Sequence, residues 1–175
     1  EGGYLNSLHY TDWAIGEFLR SAEKEPWFSN TVFLITSDHV IAHYNQFSFV
    51  DRFKIPLIIY GPGIIAPKKV ETTTSQLDIL PTVVELQNIQ GYYTSLGESL
   101  LKKKEHFALV IEGSNIGAIT DKVYVKHSTM NRLEVGSLNG KVSEKDYRFV
   151  EKKLLAIDQL AFELIESNRW ARDER

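Results

Sequence analysis

Two short runs of β-branched and apolar residues constrain this chain most: residues 31–36 (Thr-Val-Phe-Leu-Ile-Thr) and 55–60 (Ile-Pro-Leu-Ile-Ile-Tyr). Neither alternates apolar with polar residues, as a strand with one wet face does. Continuous runs of this length are expected of strands covered on both faces, as in a parallel sheet. Gly61-Pro62-Gly63 closes the second run with a turn signal. Helical patterns flank the pair. Leu5, Leu8, Ile15, Leu19 and Ala22 recur at steps of three and four, which predicts a helix over 4–23 that ends at Glu25-Pro26. His9 and Asp12 lie in it, and Asp12 interrupts the stripe as an expected acceptor of buried hydrogen bonds. A second helix is expected over 75–87, with Asp78 capping its start and Pro81 tolerated in its first turn.

The texture changes near residue 104. A short helical stretch is expected around 96–101. Short strands follow at 107–111, 116–120, 123–126 and about 132–138, with turn residues at Gly113-Ser114-Asn115, Asp121 and Asn139-Gly140. That order reads as an antiparallel meander. A long helix over 143–168 ends the chain. Ser143 and Asp146 form its capping box, and Tyr147, Val150, Leu154, Ile157, Ala161 and Leu164 its apolar stripe. The fold class is therefore α/β, with an expected α/β portion over 1–104 and a meander plus C-terminal helix over 105–175.

Composition narrows the function. A 43% hydrophobic and 25% charged chain has the ordinary globular balance and excludes disorder. A net charge of −3 gives no basic field for nucleic acid, which is not expected as a partner. With no cysteine, thiolate catalysis, disulfides and cysteine-based zinc sites are excluded. No apolar run reaches the roughly 20 residues of a membrane-spanning helix. The single methionine is Met130 and the chain opens at Glu1. It is read as a segment of a longer protein, with any signal or membrane anchor expected upstream.

The sharpest chemical feature is Ser37-Asp38-His39, directly after the first apolar run. Open α/β sheets place ligand sites at the carboxyl ends of parallel strands. A carboxylate and an imidazole there offer one hard oxygen and one borderline nitrogen to a divalent cation. His43 lies four residues on, and Tyr44, Asn45 and Gln46 follow it as weaker candidates for the same pocket. Arg52 and Lys54 flank the second run and could steer an anion. Trp13, Trp27 and Trp170 read as core or interface aromatics. His106 and His127 border the meander strands without a partner pattern. Lys102-Lys103-Lys104 reads as a solvated turn, and no Ser-His-Asp spacing is convincing.

Four stretches in order carry a resemblance: residues 4–12 (Tyr-Leu-Asn-Ser-Leu-His-Tyr-Thr-Asp), 30–39 ending in Ser37-Asp38-His39, 54–63 (Lys-Ile-Pro-Leu-Ile-Ile-Tyr-Gly-Pro-Gly) and 75–82 (Ser-Gln-Leu-Asp-Ile-Leu-Pro-Thr). Together they resemble the C-terminal half of the sulfatase/alkaline-phosphatase superfamily, and most of all its lipoteichoic acid synthase-like branch of phosphoglycerol transferases. The resemblance implies an alkaline-phosphatase-like three-layer domain. It implies Asp38 and His39 as metal ligands, with His43 as an extra ligand or a contact to substrate. The implied cofactor is a divalent metal, manganese first, with zinc and calcium as alternatives. The nucleophile would lie upstream, so the segment alone is expected to be inactive and its partner to be the missing N-terminal half of the same domain.

The implied substrate is a phosphate or sulfate ester, lipid-linked phosphoglycerol in the leading case, and the implied location is extracytoplasmic, anchored by upstream transmembrane helices. A true sulfatase and a non-catalytic structural segment are the alternatives. Many relatives carry glycine after the Asp-His pair, where this chain has Val40. Either the turn takes another geometry or the site is altered.

Overall fold

A computed structural model of the chain describes residues 2–40, 48–102 and 107–170. Two compact units divide it, Glu1–Lys69 and Val70–Arg175. The change of sequence texture lies at 104/105, well after this division. Residues 75–82 and 95–100 are bonded to one another within the second unit.

The first unit begins with α1 (Gly2–Ala22). Its expected stripe is present, yet from Gly2 to Trp13 every residue is exposed, Asp12 and His9 included. Asp12 therefore accepts no buried hydrogen bond, contrary to expectation. After α1 come β1 (Phe33–Thr36) and β2 (Leu57–Tyr60). They pair antiparallel, Phe33 opposite Tyr60 and Thr36 opposite Leu57. This corrects the parallel pairing expected from their composition. An unbroken apolar run reports burial and says nothing of strand direction. Nor is either strand fully covered among the described residues.

An aromatic cluster organises this unit around Phe33. Phe28, Phe18, Trp27 and Tyr60 surround its ring at centroid distances of 5.6, 6.0, 6.3 and 6.0 Å. Rings at these spacings add about 0.5–1.5 kcal/mol per pair beyond the area they bury. The Thr36 hydroxyl donates to the Pro56 carbonyl at 2.8 Å, which ties the end of β1 to the start of β2. Gly61 and Gly63 form the expected turn after β2, Gly63 at φ +73°.

In the second unit, Ser75 and Asp78 make a capping box around a single 3₁₀ turn, and α2 (Ile79–Leu86) follows. Contrary to the expectation from sequence, Asp78 does not cap α2 with its side chain. Its carboxylate instead accepts from the backbone N–H of Ser75 at 2.8 Å and of Glu98 at 2.9 Å. Thr82 donates to the Asp78 carbonyl and accepts from the Leu100 N–H. These side-chain acceptors, with Ser95 binding the Gly97 N–H, take the amides that a helix over 96–101 would need. That helix is absent, and the segment is irregular.

The meander forms as expected: β3 (Phe107–Glu112), β4 (Asn115–Thr120), β5 (Val123–His127) and β6 (Arg132–Ser137) lie in that spatial order, all antiparallel. The helix α3 (Glu144–Glu166) starts at the Ser143–Asp146 capping box. Val150 and Leu154 from its stripe bury against Ala118, Val123 and Val125. Full burial of one such aliphatic side chain contributes about 1.5–3 kcal/mol.

Candidate metal centre

Strand β1 ends at Thr36, and Asp38 and His39 follow it in an open bend. The Phe33 ring cluster anchors the start of the strand, and the Thr36–Pro56 bond fixes its end. The bend then turns on itself. Asp38 Oδ1 accepts the His39 backbone N–H at 3.0 Å. The imidazole folds beside the same carboxylate, with Nε2 3.6 Å from Oδ2. Its other nitrogen, Nδ1, lies 2.7 Å from the Val40 carbonyl oxygen. Asp38 and His39 are thus brought side by side, as the sequence predicts.

Among the described residues Asp38 and His39 bring two donors together, fewer than a closed cation site uses. One carboxylate oxygen and one ring nitrogen, 3.6 Å apart, suit two ligands of one ion with metal–ligand bonds of about 2.1 Å. Both side chains are mostly exposed, His39 at 74% and Asp38 at 88%. No third acidic or histidine side chain joins them among the described residues. The expected substrate contact His43, with Tyr44, Asn45 and Gln46, lies outside the described residues. Arg52 and Lys54 are exposed ahead of β2.

Other histidines behave differently. His9 is exposed on α1, and His106 lies outside the described residues. His127 is buried at the end of β5, where the register with β6 shifts. Its Nδ1 meets the Ser128 carbonyl, and its Nε2 lies 3.4 Å from Glu151 on α3. Arg132 grips the same carboxylate through Nε at 3.1 Å and Nη2 at 2.6 Å, and reaches Glu144 at 2.8 Å. Hydrogen bonding from Arg132 holds the Glu151 carboxyl below its ordinary range. Glu144 is held low by Arg132 first and Arg148 second. Sequence reading missed this cluster because its partners come from different elements. It ties the meander to α3. Lys102 is exposed in a turn, as expected, and pairs with Glu85 at 2.6 Å; Lys103 and Lys104 lie outside the described residues.

Comparison with known proteins follows the same geography. The sulfatase family model matches residues 2–89, which hold α1, β1, the Asp38–His39 bend, β2 and α2. A sulfatase of Formosa agariphila is 26% identical over 129 residues, covering 66% of this chain and 25% of that protein. Arylsulfatase K of Gallus gallus is 32% identical over 107 residues, 54% of this chain and 20% of that one. Steryl-sulfatase of Rattus norvegicus is 28% identical over 106 residues, covering 49% and 18%. The chain thus spans a quarter or less of the length of these relatives.

Among solved structures, a protein in the alkaline phosphatase superfamily from Vibrio parahaemolyticus superposes with a TM-score of 0.77 at 22% identity, over 96% of this chain and 43% of that one. A protein solved in complex with its substrate D-glucosamine-2-N,6-O-disulfate superposes with a TM-score of 0.58 at 19% identity, over 98% and 42%. These likenesses show an alkaline-phosphatase-like α/β fold.

Proposed function

This chain belongs to the sulfatase family, and from that premise we propose that its parent protein is a metal-dependent enzyme acting on esters of a tetrahedral oxyanion, phosphate esters first. The observation that carries the reading is the Asp38–His39 pair at the end of β1, an oxygen and a nitrogen donor held 3.6 Å apart. Manganese or zinc suits such mixed ligation, with calcium as the third choice. A divalent cation bound there supplies Lewis-acid polarisation of the ester oxygens and activation of a hydroxyl nucleophile.

The chain's own residues do the holding. Asp38 contributes the negative charge, and its Oδ1 bond to the His39 N–H fixes the direction of the carboxylate. His39 contributes the nitrogen donor. Arg52 and Lys54, in the same unit, raise the local concentration of an anionic substrate. We assign the nucleophile and the remaining ligands to a part of the parent domain outside this chain. Two facts support that assignment. Only two donors gather among the described residues, and the chain matches 43% of a structural relative's length. Lipid-linked phosphoglycerol is the substrate class to test first, because the order of motifs along 4–82 most resembles that branch. His43 is the substrate contact proposed with it.

A second reading, sulfate-ester hydrolysis, is favoured by the likeness to arylsulfatase K and steryl-sulfatase. The test is turnover by the parent protein of matched aryl phosphate, phosphodiester and aryl sulfate substrates with each metal. Asp38→Ala should lower kcat/KM by at least about a hundredfold, since it removes a charged group at the reacting centre. Undiminished turnover in that variant would sink the site assignment. Turnover of the aryl sulfate alone would replace the phosphate reading. No turnover of any ester would favour a purely structural role.

A further inference from the structure

Asparagine is among the thermolabile residues. The backbone nitrogen of the residue after it can attack the side-chain Cγ, and a Cβ on that next residue hinders the approach. Glycine has no Cβ. This chain holds a single Asn-Gly pair, Asn139-Gly140, between β6 and α3.

The structure leaves the attack open at this pair. Residues 138–140 form an exposed bend. Its flanks are fixed: the Leu138 and Asn139 N–H groups donate to the Lys122 carbonyl at 2.7 and 3.3 Å, and the Ser137 hydroxyl donates to the Gly140 carbonyl at 3.0 Å. The reacting groups are not. Neither the Gly140 N–H nor the Asn139 carboxamide takes part in a hydrogen bond among the described residues. Gly140 lies at φ +72°, and nothing stands within 4 Å of the place a Cβ would occupy.

Other asparagines are better protected. The N–H groups that follow Asn30, Asn88 and Asn168 each donate to a backbone carbonyl, at 3.2, 3.0 and 3.0 Å. The one that follows Asn6 lies inside α1.

We propose that Asn139 is a site of spontaneous covalent modification, in which the Gly140 nitrogen closes a succinimide ring on the Asn139 Cγ. The new N–Cγ bond forms, the bond from Cγ to the side-chain nitrogen breaks, and that nitrogen leaves as ammonia with the Gly140 amide proton. Water, the only co-reactant, then opens the ring at either carbonyl and gives aspartate or its β-linked isomer. Both products put a carboxylate in the bend. The β-linked one also adds a backbone carbon between β6 and α3, which displaces the Gly140 carbonyl from the Ser137 hydroxyl.

The experiment incubates the full 175-residue chain in warm, mildly alkaline ¹⁸O-water, beside a synthetic peptide of residues 133–141, which is also the tryptic fragment from Leu133 to Lys141. Mass spectrometry and labelling by an isoaspartyl methyltransferase follow the products. The expected result is ¹⁸O uptake in this fragment with aspartyl and isoaspartyl forms, no more than about threefold slower than in the free peptide, as suits an exposed loop tip. Fragments holding Asn6 and Asn30 should stay unchanged over that time. Asn139→Gln, checked for folding by circular dichroism, should abolish the conversion.

An intact Asn139 in the chain when most of the peptide has reacted overturns the proposal. Earlier conversion at Asn6 or Asn30 overturns it too, because the bend would then not be the exposed point of attack.

Discussion

Gly97 shows how single residues set this structure. A Cβ built there would lie 2.1 Å from the Leu77 carbonyl oxygen and 2.7 Å from the Asp78 nitrogen. Both obstacles are backbone, so no rotamer change relieves them. The close approach lets Asp78 reach the Glu98 amide and Thr82 reach the Leu100 amide. Gly97→Ala should therefore destabilise the second unit by about 3 kcal/mol or more, as overpacking against backbone does. Urea unfolding of the chain measures it, and a change within 0.5 kcal/mol, about the usual surface-substitution effect, would contradict this account.

At the same scale, Asp38 and His39 stood out in the sequence only through the resemblance carried by residues 30–39, because a carboxylate and an imidazole after a strand are by themselves a weak signal. Asp78 was legible only as a cap. Its second oxygen binds an amide far along the chain, a partner no local spacing reveals.

Among the elements, the meander and α3 could be read in advance and the β1–β2 pairing could not. Alternation, turn residues and a capping box are local signals, and each marks an element's type and ends. Direction of pairing is not local. The 96–101 stretch misled because helical periodicity there competes with the side chains of Ser95, Asp78 and Thr82, which claim its amides.

The junction between the meander and α3 carries a pH dependence of defined sign. Arg132 holds Glu151 below the ordinary carboxylate range, and Glu144 likewise; Asp146 is lowered by Ser143. A carboxyl depressed in the folded state contributes stability above its unfolded pKa and loses it as pH falls through the folded value. The urea midpoint should therefore fall on acidification from about pH 5 to pH 3. Glu151→Gln should start lower at pH 7 and fall less steeply over the same interval. Parallel curves for the two proteins would show that Glu151 is not the group responsible.

Taken whole, the proposed reading gives a divalent cation two donors in this chain, Asp38 and His39, and among the described residues no group of three or more acidic or histidine side chains could hold a metal ion. Affinity for a metal follows the number and geometry of ligands. Calorimetry with Mn²⁺ or Zn²⁺ should give a dissociation constant no tighter than about micromolar for this chain. Nanomolar binding would mean that a complete cage exists here, and the division of the centre between two parts of a parent domain would be wrong.

The division at Lys69/Val70 also governs what an optical observer sees. Two of the three indoles, Trp13 and Trp27, belong to the first unit, and Trp27 leans on the ring of Phe33. The aliphatic interior around Leu154 has no such reporter. Emission from the indoles then follows mainly the loosening of the aromatic half, while far-ultraviolet ellipticity follows both halves together. Two melting curves recorded on one sample should part company, and the gap between them measures how independently the halves come undone.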